Sequence, residues 1–203
     1  MNIAERIREV DLLRKRISGV ETAGWDYIKK VVTCHNYPKD FIFIKPLMPC
    51  TKMGYMVRGI VMAFEYDINN NKDVSQFYMN NFNPCVCDFK NFKSENKTPL
   101  SFITLQPTTI LSIEKSAYHD LYLGVNNIEA ISHGILYDAR VHDHEFHSFK
   151  INMTNDEFIL WFYNQHPILF NEKICERKFL SSYFGYSKDL ITNALKRNNI
   201  IIL

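Results

Sequence analysis

The stretch from Lys178 to Arg197, KFLSSYFGYSKDLITNALKR, carries the residue types best suited to contacting another macromolecule. Leu180 and Phe184 share one face of a short helix, Gly185 supplies a turn, and Tyr186 is placed to tuck between two helices. Ser187 is a good N-cap for a second helix that would bury Ile191, Ala194 and Leu195. Its other face then shows Lys188, Asp189, Thr192, Asn193, Lys196 and Arg197, with Ser187 at its start. Such side chains reach base edges and phosphates when a helix lies in a major groove. Between Lys173 and Leu203 six basic residues stand against two acidic ones, whereas the whole chain carries only +2. A solvated helical hairpin shows the same grammar, so the pattern alone does not separate the two readings.

Other reactive residue types are less promising. His142, His144 and His147 sit in one short run, but on a helix only His144 and His147 share a face, and zinc needs three or four converging ligands. Cys85 and Cys87 flank Val86 on what reads as a strand, where they behave as small hydrophobes. The five cysteines are odd in number and scattered, as in a reduced, cytoplasmic protein. No Ser/His/Asp set, phosphate loop or carboxylate pair stands out, so neither an enzyme nor a cofactor is expected. A cupin-like metal enzyme would need His on its barrel strands, and residues 41–113 contain none.

The elements that must hold these residues follow from composition and period. With 203 residues, 46% hydrophobic and 23% charged, the chain is an ordinary globular sequence, and its 28 aromatics promise a well-filled core. No apolar run approaches the ~20 residues of a membrane span, so no membrane partner is expected. Ile3, Ile7, Val10, Leu13 (or Leu12) and Ile17 recur at helical spacing, with Gly19 as a stop. Phe41–Ile44, an alternating Tyr55–Tyr66, a turn at Asn69–Lys72, Val74–Met79, Phe102–Leu105 and Thr109–Ile113 read as short strands of a barrel or jelly roll. Then Leu121, Val125, Ile128, Ser132, Ile135, Ala139, His142, Phe146 and Phe149 advance by steps of four and three. That is a heptad seam on one long helix, most simply buried by parallel self-pairing. Thr154 and Glu157 form a capping box ahead of Phe158–Phe162, and Pro167 ends that helix.

In this order of parts the chain resembles the Crp/Fnr transcription regulators over nearly its whole length, closest to the divergent short members common in Bacteroidetes-type bacteria. Leu180–Leu195 is similar to their segment I-A-S-Y-L-G-I-S-P-E-T-L-S-R-I-R, and Arg58-Gly59-Ile60-Val61 to the K-G-x-V that opens a β-roll hairpin. The resemblance implies an α+β fold in three parts. These are an antiparallel, jelly-roll-like β-roll sensor over 1–120, a dimerisation helix over 121–150, and a helix-turn-helix DNA-binding domain over 151–203. The last part is winged-helix-like with a short or absent wing, although Ile200–Leu203 could add an edge strand. It implies a homodimer on double-stranded DNA, with room for an unidentified small-molecule effector.

The departures are specific. Cyclic-nucleotide-binding members carry Gly-Glu and then Arg-Ser or Arg-Thr in a phosphate cassette. The corresponding stretch, 83–88 through 97–102, has no Gly and no Arg, so cyclic nucleotides are not expected to bind. No cysteine cluster precedes Cys34, against an iron–sulfur sensor. In the reading helix the family's Ser-Arg appears as Thr192-Asn193, which favours adenine over guanine. The competing expectation is a degenerate β-roll that binds proteins in signalling and no longer touches DNA.

Overall fold

The computed structural model describes residues 3–16, 22–94, 96–124 and 128–200, with the backbone alone at 3–5, 16, 22–23, 128–136 and 138–140. Two helices, α1 (Ile3–Arg16) and α2 (Thr22–Val31), precede eight strands: β1 (Thr33–Tyr37), β2 (Ile42–Ile44), β3 (Lys52–Arg58), β4 (Val61–Tyr66), β5 (Lys72–Tyr78), β6 (Cys85–Val86), β7 (Ser101–Thr104) and β8 (Thr108–Glu114). The short helix α3 (Phe89–Lys93) lies between β6 and β7. After the strands come α4 (Lys115–Gly124), α5 (Ile128–Asn152), α6 (Asn155–Gln165), a 3-10 turn at Pro167–Phe170, α7 (Arg177–Phe184) and α8 (Lys188–Arg197). This is the expected α+β class.

The strands form two antiparallel sheets, in the orders β1-β8-β3-β6 and β2-β7-β4-β5. Phe43, Met56, Val61, Tyr78, Phe102 and Ile110 fill the space between them. Each sheet also buries its outer face. Val10, Trp25, Ile28 and Leu121 from α1, α2 and α4 cover Leu111 and Ile113 of the first. On the second, Ile60, Met62, Phe64, Val74 and Phe77 pack against Phe146, Phe158, Phe162, Phe184 and Leu195 of the C-terminal helices. Strand β4 is therefore buried on both sides, and the Ile60/Met62/Phe64 face faces the helices rather than the roll interior.

Two turns are built as the sequence suggests. Asp67 accepts hydrogen bonds from the backbone N–H of Asn69 (2.8 Å) and of Asn71 (2.7 Å), which closes the β4–β5 hairpin. Gly59, between β3 and β4, has φ +100, and a Cβ there would stand 2.7 Å from the Cα of Thr108. Gly59→Ala is therefore expected to lower stability by at least about 1 kcal/mol, read as a lower urea midpoint at an unchanged slope. An unchanged midpoint would show that the hairpin can relax around the added methyl.

Several expectations are corrected. Alternation from Tyr55 to Tyr66 spans two strands broken at Gly59, not one. Strand β1 and helix α2 were not expected. Of the row on α1, Val10 is fully buried and Ile7 is exposed, while Ile17 and Gly19 lie outside the described residues. The expected seam runs over α4 and α5, and Val125 between them lies outside the described residues. Its two ends are spent within the chain: Leu121 is in the core under α1 and α2, while Phe146 is in, and Phe149 against, the core of the C-terminal helices. His142 is half-buried, its ring 5.5 Å from that of Phe82. For Ile128, Ile135 and Ala139 the side chains lie outside the described residues. So do Ile201–Leu203, three of the four residues of the expected edge strand, and Ile200 is not in a strand.

Candidate nucleic-acid interface

Helix α6 sets the frame. Thr154 and Glu157 form the capping box at its start, with Glu157 accepting from the Thr154 N–H at 2.9 Å and Thr154 Oγ1 accepting from the Glu157 N–H at 3.4 Å. Phe158 and Phe162 on its buried face lie edge-on to Phe184, with ring centroids 5.5 and 5.0 Å away. Helix α7 buries Phe179, Leu180 and Phe184, and Gly185 ends it in the left-handed conformation, φ 68 and ψ 27. Its N–H donates to the carbonyls of Ser181 and Ser182. Ser187 then caps α8, its hydroxyl accepting from the Leu190 N–H at 3.2 Å. Ile191, Ala194 and Leu195 are buried, and Tyr186 sits half-buried between Phe158 and Phe184.

The residues expected to contact a partner lie on and at the start of α8. Ser187, Lys188, Asp189, Asn193, Lys196 and Arg197 are exposed and Thr192 is half-exposed. Their availability differs. Ser187 is committed to the cap, and Thr192 Oγ1 donates to the Lys188 carbonyl at 2.8 Å. Arg197 is held by both oxygens of Asp156 on the first turn of α6, at 2.7 and 2.6 Å. The pair lowers Asp156 and raises Arg197 from their ordinary pKa values through these hydrogen bonds. Lys188, Asp189, Asn193 and Lys196 have no side-chain partner among the described residues.

The local positive excess is also smaller at the surface than the sequence suggests. Arg177 pairs with Glu172 (3.2 Å), Lys178 with Glu176 (2.8 Å) and Arg197 with Asp156. Lys173, Lys188 and Lys196 remain, joined by Lys150 of α5, whose Nζ lies 5.7 Å from the Tyr186 ring at the turn. Sequence reasoning missed both Lys150 and Asp156. Each is far from α8 along the chain, and no local signal reports a tertiary ion pair.

The helix pair is fastened to the roll. Ser182 Oγ accepts from the Val74 N–H of β5 at 2.7 Å and donates to Asp73 at 3.0 Å. Tyr183 donates to Gln76, and its ring meets Phe77 edge-on at 5.1 Å. In the roll itself, the 83–102 stretch is closed on itself. Asp88 caps α3, accepting from the N–H of Asn91 (3.2 Å), the Asn91 amide (2.7 Å) and the Thr98 hydroxyl (2.6 Å). Among the described residues no cluster of three or more His, Cys, Asp or Glu could hold a metal, and no helix is long and apolar enough to cross a membrane.

No protein-family model and no curated protein matches the chain. Solved structures share its fold. A protein assigned to the Crp/Fnr family of transcriptional regulators, from Eubacterium rectale, superposes with a TM-score of 0.64 at 10% identity, over 89% of this chain and 84% of that one. The c-di-GMP-responsive global regulator of Xanthomonas campestris gives 0.56 at 14% identity, over 88% and 92%. The catabolite activator protein of Thermus thermophilus gives 0.50 at 12% identity, over 94% and 90%. The architecture is thus that of Crp/Fnr regulators and cyclic-nucleotide-binding domains.

Proposed function

We propose that this chain is a transcription regulator of Crp/Fnr type, not an enzyme, that binds double-stranded DNA in the cytoplasm as a homodimer through α8. The observation that carries the reading is the exposed, partner-free set Lys188, Asp189, Asn193 and Lys196 on a helix capped by Ser187 and backed by α6 and α7. The helix N-terminus and the two lysines favour phosphates, and Asn193 suits adenine. Pairing of two copies fits the middle of α5, where Tyr137 is 67% exposed, and the end of α4, where Leu123 is 72% exposed. Two reading helices then enter successive major grooves about 34 Å apart. Cyclic nucleotides are not the effector in this reading. Aromatic and aliphatic side chains fill the space between the sheets, and the 83–102 stretch carries no Arg to hold a phosphate while Asp88 in it is engaged by Asn91 and Thr98.

Selection from a random duplex library with the purified protein tests the proposal. A two-fold-symmetric motif with half-sites about 10 bp apart is the expected product. On that site Asn193→Ala should cost about 1–3 kcal/mol with little effect on random DNA. Lys196→Ala should weaken all duplexes alike and lower the salt slope by about one. Arg197→Ala should change the slope less than Lys196→Ala, because Asp156 already neutralises the guanidinium. No enrichment over random sequence, with neither substitution altering retention at low salt, overturns it.

One observation favours a protein-binding module instead. Helix α7 is tied to β5 by Ser182 and Tyr183, and three of the six basic residues beyond Glu172 are paired. A flat salt dependence would point that way.

A further inference from the structure

Arg197 is the last residue of α8 and Asp156 the second of α6, and the two side chains clasp each other across the helix ends. Arg197 Nε donates to Asp156 Oδ2 at 2.7 Å and Nη2 to Oδ1 at 2.6 Å, so both carboxylate oxygens are used. Neither helix end depends on this pair. Thr154 and Glu157 already cap α6. Asn198 closes α8, its N–H donating to the carbonyls of Leu195 and Lys196 and its side-chain amide to that of Ala194 at 2.9 Å. The helices are joined beneath it through Phe158, Phe162, Ile191 and Leu195 of one core. The pair itself lies within reach of solvent, with the Arg197 side chain 57% exposed and that of Asp156 38%. It sits at the end of the same exposed row that holds Asn193 and Lys196.

We infer that Asp156 stands in for a DNA phosphate at the end of the reading helix, and so limits how tightly the protein grips any duplex. The inference rests on α8 binding DNA as proposed above. A carboxylate and a phosphate offer a guanidinium the same thing, two anionic oxygens spaced to take parallel N–H bonds. Arg197 therefore reaches a phosphate only by leaving Asp156. That exchange gains little, because one ion pair replaces another and the carboxylate left behind recruits a cation of its own. The hydrogen bonds from Arg197 hold Asp156 below the usual carboxylate range. It stays ionised at neutral pH, where only a competing anion opens the pair. Asp156 is thus a positioning residue that acts on DNA through Arg197. Asn193 has no such partner among the described residues, so base reading is left alone while the backbone grip is weakened. A regulator that must leave many wrong sites for a few right ones is served by such a brake.

Anisotropy of a labelled duplex titrated with the full chain, on the selected site and on a random sequence, reads the effect. Asp156→Asn should bind both duplexes about tenfold more tightly at about 50 mM salt and about threefold at about 200 mM, a salt slope steeper by about one. The ratio of selected to random affinity should not move. Asp156→Glu, which keeps the carboxylate, should stay near the wild type. Arg197→Ala added to Asp156→Asn should erase both the gain and the extra slope. A purely structural role for Asp156 predicts weaker binding in Asp156→Asn, since a loosened fold does not grip harder. Asp156→Asn no tighter than the wild type overturns the inference while DNA binding stands. So does a gain that survives Arg197→Ala in full. If the wild type and every variant leave the duplex unbound at low salt, the reading of α8 as a DNA-binding helix falls, and this inference with it.

Discussion

Phe162→Ala should lower stability by about 3–5 kcal/mol, and it should do so for the roll and the C-terminal helices together. Phe162 is fully buried and sits among Phe82, Phe146, Tyr183 and Phe184, with ring centroids 5.0–6.1 Å away. Truncation to Ala removes that packing and leaves a cavity that rigid aromatic neighbours cannot close. The core it belongs to runs from β4 and β5 through α5 to α8 without interruption. Two tryptophans report on opposite sides of the molecule. Trp25 is buried under α1 against the first sheet, and Trp161 packs on Phe149 and Phe158. Single-tryptophan versions should unfold at the same urea concentration, and Phe162→Ala should move both midpoints equally. If only the Trp161 signal moves, the helices form a separately folding domain and the shared core does not couple the halves.

That shared core explains what could and could not be read from the sequence. The α7–α8 pair was legible residue by residue, because its signals are local: a left-handed Gly185, an N-cap at Ser187, and apolar residues three or four apart. The Asp67 turn and the Thr154/Glu157 box were legible for the same reason. The strands were legible as strands, but the direction of their faces was not. Ile60, Met62 and Phe64 announce burial without naming the partner, and in β4 both faces are buried. The seam carries the same ambiguity. A row of apolar residues at steps of four and three records that a helix face is covered without naming what covers it, and Phe146 and Phe149 at its end pack on α6 and α7. Strand β1, with pattern exposed-buried-exposed-exposed-intermediate, is an edge strand too weakly patterned to stand out. The Arg197–Asp156 pair spans 41 residues, so it leaves no periodic trace.

Lowering the pH from 6.5 to 4 should cost the folded chain about 3 kcal/mol, and His166 is the reason. His166 ends α6, is 7% exposed, and is packed against the rings of Phe82 and Phe162 at 4.4 and 4.8 Å. Burial, reinforced by nearby His142, lowers its pKa from 6.5 to about 4. The folded chain therefore refuses a proton that the unfolded chain accepts between those values. Stability is full above about pH 6.5, falls as the pH drops towards 4, and changes no further on this account below it. Each unit corresponds to about 1.4 kcal/mol. Exposed carboxylates act in a lower window. Asp67, Asp156 and Glu157 are held below their ordinary values of 3.8 and 4.5 by hydrogen bonds, so what they add is lost only as the pH falls through that range. Asp143, raised by burial, works in the opposite sense, but it is exposed and screened. Urea midpoints at pH 7.5, 5.5 and 4.5 should thus decline in the wild type and stay nearly level in His166→Gln, whatever that substitution costs at pH 7.5 (values chosen about the His window). Parallel declines in the two proteins would place the acid sensitivity elsewhere. Because Phe82 comes from the β5–β6 loop and Phe162 from α6, a proton on His166 would loosen the contact through which the roll holds its helices.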